Sequence, residues 1–236
     1  MKNIKSLALI LGLTCLSTPV AFASDAPRYG KVPVSEVFIP KGFDSNDSVE
    51  VIVSGLLPNL CYKSPSASVE VKGKEVFIEM KAIINSEVDA PCAEMVVPFL
   101  EAVNVGLLDR GWYSINVEGV QAGSLYVSQS RSDAVDELVY ANVDYVEKDA
   151  FSNKVVLKGY NPSDCFEFDH VESIDNGLNV HSVMPIMKQV SEFCPRKMVP
   201  FEINWEVPAN LDRNQVLLHV RSMNGKSVNS LVKVRK

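Results

Sequence analysis

The chain has 236 residues, of which 22% are charged and 47% are hydrophobic, and its formal net charge is −6. This acidic balance argues against nucleic acid or anionic lipid as the main partner, because both are negatively charged and bind preferentially to basic surfaces. The length fits two domains of about 100 residues each.

The first 23 residues have the pattern of a secretory signal peptide. Lys2 and Lys5 supply its positive region, residues 7–16 its apolar region and residues 21–23 (AFA) its small-residue cleavage site. The apolar run, about ten residues, is too short to span a ~30 Å hydrocarbon core. We therefore expect cleavage after Ala23, a mature chain without a membrane span, and a periplasmic or secreted location.

Residues 24–130 predict a first β domain. Residues 24–31 are a short segment that contains proline, so we expect a loose leader there. Segments rich in β-branched residues, or alternating in polarity, then predict seven strands, at residues 32–39, 49–57, 68–71, 75–84, 93–105, 112–117 and 124–128. The alternation predicts a buried face carrying Val76 and Ile78 and an outward face carrying Phe77 and Glu79.

Residues 131–236 predict a second β domain, after a polar boundary at residues 129–136. Seven strands are expected again, at residues 138–146, 154–160, 166–171, 178–187, 198–207, 216–220 and 228–234. Asn224-Gly225 is a strong signal for a type I′ turn between the last two. Beyond the signal peptide no segment predicts a helix convincingly. The fold class is therefore all-β, as two tandem immunoglobulin-like β-sandwich domains.

A short motif supports the tandem interpretation. GLLPNLC at residues 55–61 returns as GYNPSDC at residues 159–165. A second cysteine and then Pro-Phe follow each copy, in residues 92–99 and 194–201, and Leu-Asp-Arg recurs at residues 108–110 and 211–213. Such anchors, recurring 102–104 positions apart, indicate an internal repeat.

Four cysteines remain after cleavage, an even number that predicts two disulfides in an exported chain. Four cysteines allow three pairings, and the repeat selects Cys61 with Cys92 and Cys165 with Cys194. A zinc site is disfavoured because the chain contains no C-x-x-C motif.

The motif G-x-x-P-x-x-C followed by C-x5-P-F resembles a β-sandwich domain of exported bacterial proteins. That family typically ends in a G-x-Y-x-V-x-V-N-G hairpin, which residues 111–119 follow with Glu118 in place of Asn. The resemblance covers residues 49–128 well, whereas the second copy departs at the hairpin. It implies a structural framework with no assigned activity and no functional residues.

Candidate chemistry centres on the histidines. His170 lies in an acidic stretch and His181 follows across a predicted turn. Asp169, His170 and His181 are therefore a candidate metal site, although it lacks a third ligand at a convincing spacing. His219 is expected on an exposed strand face with no role. Phe77 and Trp112 are predicted to point outward and are candidates for a binding surface, although packing against the sister domain is the commoner explanation.

No catalytic motif is present, so we expect neither enzyme activity nor a cofactor. The favoured hypothesis is an exported non-catalytic binding or structural protein of the cell envelope. Its partner would be a protein or glycan, recognised through sandwich loops or an edge strand. The alternatives are a periplasmic chaperone-like strand donor and a metal-dependent activity centred on His170.

Overall fold

In the computed structural model, the described residues are 27–85, 91–134, 136–149, 152–208 and 215–233. The predicted signal peptide and the second Leu-Asp-Arg anchor lie outside them. Every regular element of the described residues is a β-strand, so the all-β prediction is confirmed. Among these residues, no helix is long and apolar enough to cross a membrane.

The N-terminal half, residues 27–134, contains nine described strands. They are β1 (Arg28–Lys31), β2 (Val34–Phe38), β3 (Phe43–Asp44), β4 (Ser48–Leu57), β5 (Tyr62–Lys72), β6 (Glu75–Ile84), β7 (Val97–Leu107), β8 (Gly111–Val117) and β9 (Val120–Ser128). Each of the seven predicted strands overlaps one of these. The prediction of a loose leader is wrong for residues 28–31, which form β1. β8 pairs with only residues 75–78 of β6, so the remainder of the same edge of β6 is free to pair with another strand. β1 pairs with it there, at residues 81–84.

The C-terminal half, residues 136–233, contains seven described strands. They are β10 (Val143–Lys148), β11 (Lys154–Asn161), β12 (Phe166–Asp175), β13 (Val180–Gln189), β14 (Val199–Glu206), β15 (Gln215–Ser222) and β16 (Lys226–Lys233). Each overlaps a predicted strand. Asn224 and Gly225 have φ values of 62° and 66°, as the predicted type I′ turn requires.

The strands form four sheets that stack face to face. Sheet 1 contains β1, β3, β5, β6, β8 and β9; sheet 2 contains β2, β4 and β7; sheet 3 contains β12, β13, β15 and β16; and sheet 4 contains β10, β11 and β14. Sheets 1 and 2 enclose a core in which Val51 and Ile78 are buried. Sheets 3 and 4 enclose another, with Leu157 and Leu218. Each half is therefore a β-sandwich.

A third core joins the halves, between sheets 2 and 3. Phe38 and Ile52 of sheet 2 pack with Val180 and Leu217 of sheet 3, and all four are buried. Because successive side chains of a strand point to opposite faces, β13 and β15 are buried on both faces over most of their length.

This third core corrects the interpretation of His219. The residue does lie on the face opposite its sandwich core, but sheet 2 covers that face, so His219 is only 1% exposed. Its Nδ1–H donates to Oδ1 of Asn229 at 2.9 Å, and its ring lies 5.7 Å from that of Phe43. The prediction of an exposed His219 is wrong because it considered the C-terminal sandwich alone, without the N-terminal half that covers this face.

The strand pairing differs from the predicted immunoglobulin-like arrangement. β6 pairs with β8 in parallel, and β13 pairs with β15 in parallel. Immunoglobulin domains consist of two antiparallel sheets, so the pairing does not confirm that topology.

Both predicted disulfides are confirmed. Cys61 is bonded to Cys92 and Cys165 to Cys194, with Cα atoms 5.6 and 5.5 Å apart. In each half the bridge ties the turn after the second strand of the three-stranded sheet to the segment before its third strand.

Candidate ligand-binding groove

The acidic stretch around His170 lies exposed on β12. Nδ1 of His170 lies 2.8 Å from a carboxylate oxygen of Asp169, and Nε2 lies 3.3 Å from one of Glu172. Hydrogen bonding to Asp169 and then to Glu172 raises the pKa of His170. This is a local cluster of surface charges on one strand.

His181 lies elsewhere. The register pairs His181 with Asp175, whereas His170 pairs with Ile186, so the two histidines lie at different levels of the hairpin. His181 is 3% exposed, its ring lies 6.4 Å from that of Trp205, and burial lowers its pKa. The structure therefore does not bring His170 and His181 together. The described residues contain no group of three or more His, Cys, Asp or Glu side chains that could hold a metal ion.

The two aromatic candidates differ in their surroundings. Phe77 is half-buried on the outer face of sheet 1, with Nζ of Lys72 5.5 Å from its ring centroid. Trp112 is 65% exposed, because Tyr113 and its alternate neighbours occupy the buried face of β8. The indole of Trp112 rests beside Tyr126, with ring centroids 5.1 Å apart.

Trp112 borders a cleft of about 550 Å³ between the two halves, which we call the groove. Its N-terminal wall comes from β2, the β2–β3 connection, β8 and β9. Its C-terminal wall is the turn between β12 and β13, which contributes Leu178, 61% exposed. Phe77 is not among its lining residues.

Hydrogen bonds fix this turn against the N-terminal half. Oδ1 of Asn176 accepts from the backbone N–H groups of Leu178, Asn179 and Val180 at 2.8–3.0 Å. Nδ2 of Asn176 donates to the carbonyl oxygen of Ile39 at 3.2 Å. The backbone N–H of Lys41 donates to Oγ of Ser182 at 3.1 Å. The walls of the groove are thus bonded to each other.

The groove is amphipathic. Trp112 and Leu178 supply apolar surface, while Glu36 and Lys41 place one negative and one positive charge on the wall. Neither charged side chain has an ion-pair or hydrogen-bond partner among the described residues. The hydroxyl group of Ser124 adds a donor and an acceptor. Such a surface suits a ligand with both apolar and hydrogen-bonding parts.

Sequence reasoning found Trp112 but missed the groove. Alternation along β8 predicts the outward indole, whereas the opposite wall comes from a turn more than sixty positions later in the chain. One signal was available. Residues 180–187 (VHSVMPIM) do not alternate in polarity, which is typical of a strand buried on both faces.

Residues 51–127 match the family model of the ORF11 beta-sandwich domain. The match covers about a third of the chain, from β4 to β9, and includes Trp112. No curated protein and no solved structure matches the chain.

Proposed function

We propose that the chain is an exported, non-catalytic binding protein of the cell envelope. Its ligand, a protein or a glycan, is recognised at the groove between the two halves. Trp112 carries this proposal, because a large aromatic side chain that is 65% exposed beside a cleft with apolar and polar walls is typical of a recognition surface.

Export is part of the proposal, with a signal peptide at residues 1–23 and a periplasmic or secreted location. The two disulfides support it, because such bonds form and persist in oxidising compartments. The acidic net charge agrees with a partner other than nucleic acid.

We also propose that the halves, residues 24–130 and 131–236, are two copies of one domain that is immunoglobulin-like in its two packed sheets and departs from that fold in the parallel pairs β6–β8 and β13–β15. The strand order of sheet 2, β2-β4-β7, has a counterpart in β10-β11-β14 of sheet 4. The order β5-β6-β8-β9 has a counterpart in β12-β13-β15-β16. The recurring GxxPxxC motif and the equivalent disulfides support the same conclusion.

Site-specific photo-crosslinking tests the binding proposal. A benzophenone-bearing phenylalanine analogue is introduced in place of Ser124 in the groove, or in place of the exposed Tyr145 on β10 as the matched control. Each full-length protein is irradiated in the envelope of the producing cell. We expect a discrete adduct from the groove position only. Equal adducts from both positions, or none from the groove, would contradict the proposal.

A further inference from the structure

We propose that the groove binds a neutral glycan, with one sugar ring stacked on the indole of Trp112. This inference rests on the binding function proposed above and names the chemical class of its ligand.

Trp112 provides the platform. The side chain is 65% exposed, and its contact with Tyr126 supports the indole from one side without covering it. An aromatic face is electron-rich and flat, and it complements the apolar C–H face of a pyranose ring, whose C–H groups carry partial positive charge. An indole held in this way loses little rotamer freedom when a ring stacks on it.

The rim of the groove provides partners for sugar hydroxyl groups. The carboxylate of Glu36 offers acceptors, the ammonium group of Lys41 offers donors, and the hydroxyl group of Ser124 offers both. Each hydroxyl of a sugar is itself a donor and an acceptor, so this mixed set suits a polyol. The two charges are opposite, and the rim therefore selects for neither anions nor cations.

The groove favours a glycan over an added peptide strand. Strand addition needs an open edge, and the edge of β9 is occupied here. β3 pairs with β9 in parallel at Phe43 and Val127. Ile39 lies over the face of β9 at Gly123, since a Cβ atom there would lie 2.8 Å from its Cδ1. The end of β9 is therefore already paired within the chain, which disfavours an added peptide strand there.

Fluorescence titration with neutral oligosaccharides tests the inference. The chain has two tryptophans, so Trp205→Phe leaves Trp112 as the single reporter. The panel consists of glucose, mannose, galactose and N-acetylglucosamine oligomers, with an anionic galacturonate and a cationic glucosamine oligomer as charged comparators. We expect a saturable change in the Trp112 emission with a neutral member, and weaker binding of the charged ones.

Calorimetry on the unmodified chain repeats the measurement without the reporter substitution. Trp112→Ala should weaken binding about tenfold or more, Trp112→Phe should weaken it less, and Tyr145→Ala should leave it unchanged. Binding that survives Trp112→Ala, or that is tightest for a charged oligomer, would overturn the inference. No saturable binding across the panel would overturn it too. If the groove position then gave a protein adduct in the crosslinking experiment, the proposed binding function would be supported and the glycan assignment would be wrong.

Discussion

Arg221 and Asp47 form an ion pair that is buried between the two halves. Nη1 of Arg221 donates to Oδ2 of Asp47 at 2.8 Å, and a second bond joins Nη2 to Oδ1. The residues are 7% and 3% exposed. Nη1 also donates to the carbonyl oxygen of Gly42 at 3.2 Å, and the guanidinium lies 5.1 Å from the centroid of the Tyr140 ring. Asp47 precedes β4 and Arg221 lies on β15, so the pair links the two sandwiches.

Asp47→Asn should lower the free energy of unfolding by about 3 kcal/mol, because it leaves the guanidinium of Arg221 buried without its main counter-charge. Urea denaturation measures the loss. Adding Arg221→Met should recover part of it, since the unpaired charge is then removed. Lys72→Ala, which breaks the exposed pair of Lys72 with Glu70, is the control and should change stability little. Equal effects of Asp47→Asn and Lys72→Ala would contradict the role of the buried pair.

His219 should make the protein less stable in mild acid. Burial lowers its pKa in the folded state, against a value near 6.5 in an unfolded chain. Below about pH 6.5 the unfolded chain therefore binds more protons than the folded one, and stability falls as the pH decreases. The charged groups around the ring are Glu50, whose carboxylate lies 3.9 Å from Nδ1, with Arg221 and Asp47 contributing from further away.

Urea denaturation between pH 7.5 and pH 5.5 checks this dependence. His219→Gln should flatten the decline of the unfolding free energy. His170→Gln is the matched control. Asp169 and Glu172 raise the pKa of His170, so the stability linked to this residue is present at low pH and lost as the pH rises. Removing His170 should therefore not flatten the decline. A decline that is identical in wild type and His219→Gln would assign the effect to other groups.

His181→Phe should stabilise the protein by about 1 kcal/mol. Neither ring nitrogen of His181 has a hydrogen-bond partner among the described residues, and an unpaired buried polar group costs free energy. A phenyl ring keeps the edge contact with Trp205 and removes the unpaired nitrogens. Thermal unfolding of the two proteins measures the difference. A lower melting temperature together with loss of a stoichiometric metal would instead support the metal hypothesis.

The strands could be predicted because their signals are local, and the disulfides because the repeat selects one of three pairings. Val76, Phe77 and Ile78 alternate between buried and outward faces, and this pattern alone locates β6. Glu118 shows a feature that a local pattern does not predict. The backbone of Glu118 has φ of 51°, and its carboxylate accepts the N–H of Met80 at 2.5 Å, just beyond the end of the β6–β8 pairing and 38 positions away in the chain.

The contact between the halves could not be predicted in the same way. It depends on residues far apart in sequence, such as Ile52 and Leu217. Each of these side chains points away from the core of its own sandwich, as a solvent-exposed side chain does, so one sandwich considered alone does not reveal the contact. The burial of His219 and the opposite wall of the groove both follow from this contact. Periodicity specifies which face a side chain takes, but not what covers that face.

The glycines of the recurring motif are required because the residue just before a neighbouring strand lies directly against each of them. A Cβ atom on Gly55 would lie 2.2 Å from the carbonyl oxygen of Pro33, and one on Gly159 would lie 2.0 Å from that of Asn142. Those same oxygens accept the N–H groups of the next residues, at 3.2 and 3.3 Å. The close approach therefore aligns β2 with β4 and β10 with β11.

Gly55→Ala and Gly159→Ala should each lower the free energy of unfolding by about 3 kcal/mol, because backbone must shift to admit the methyl group. Gly73→Ala is the matched control. It lies in a turn with φ of 61°. Apart from its chain neighbours, no atom of the described residues lies within 4 Å of the place that an alanine methyl group would take, so only the backbone conformation is penalised, by about 1 kcal/mol. Guanidinium denaturation of the three variants gives the comparison. If the free energy of unfolding falls no more for Gly55→Ala and Gly159→Ala than for Gly73→Ala, the backbone can move apart to admit a methyl group. The close approach would then not explain why glycine occurs in both copies of the motif.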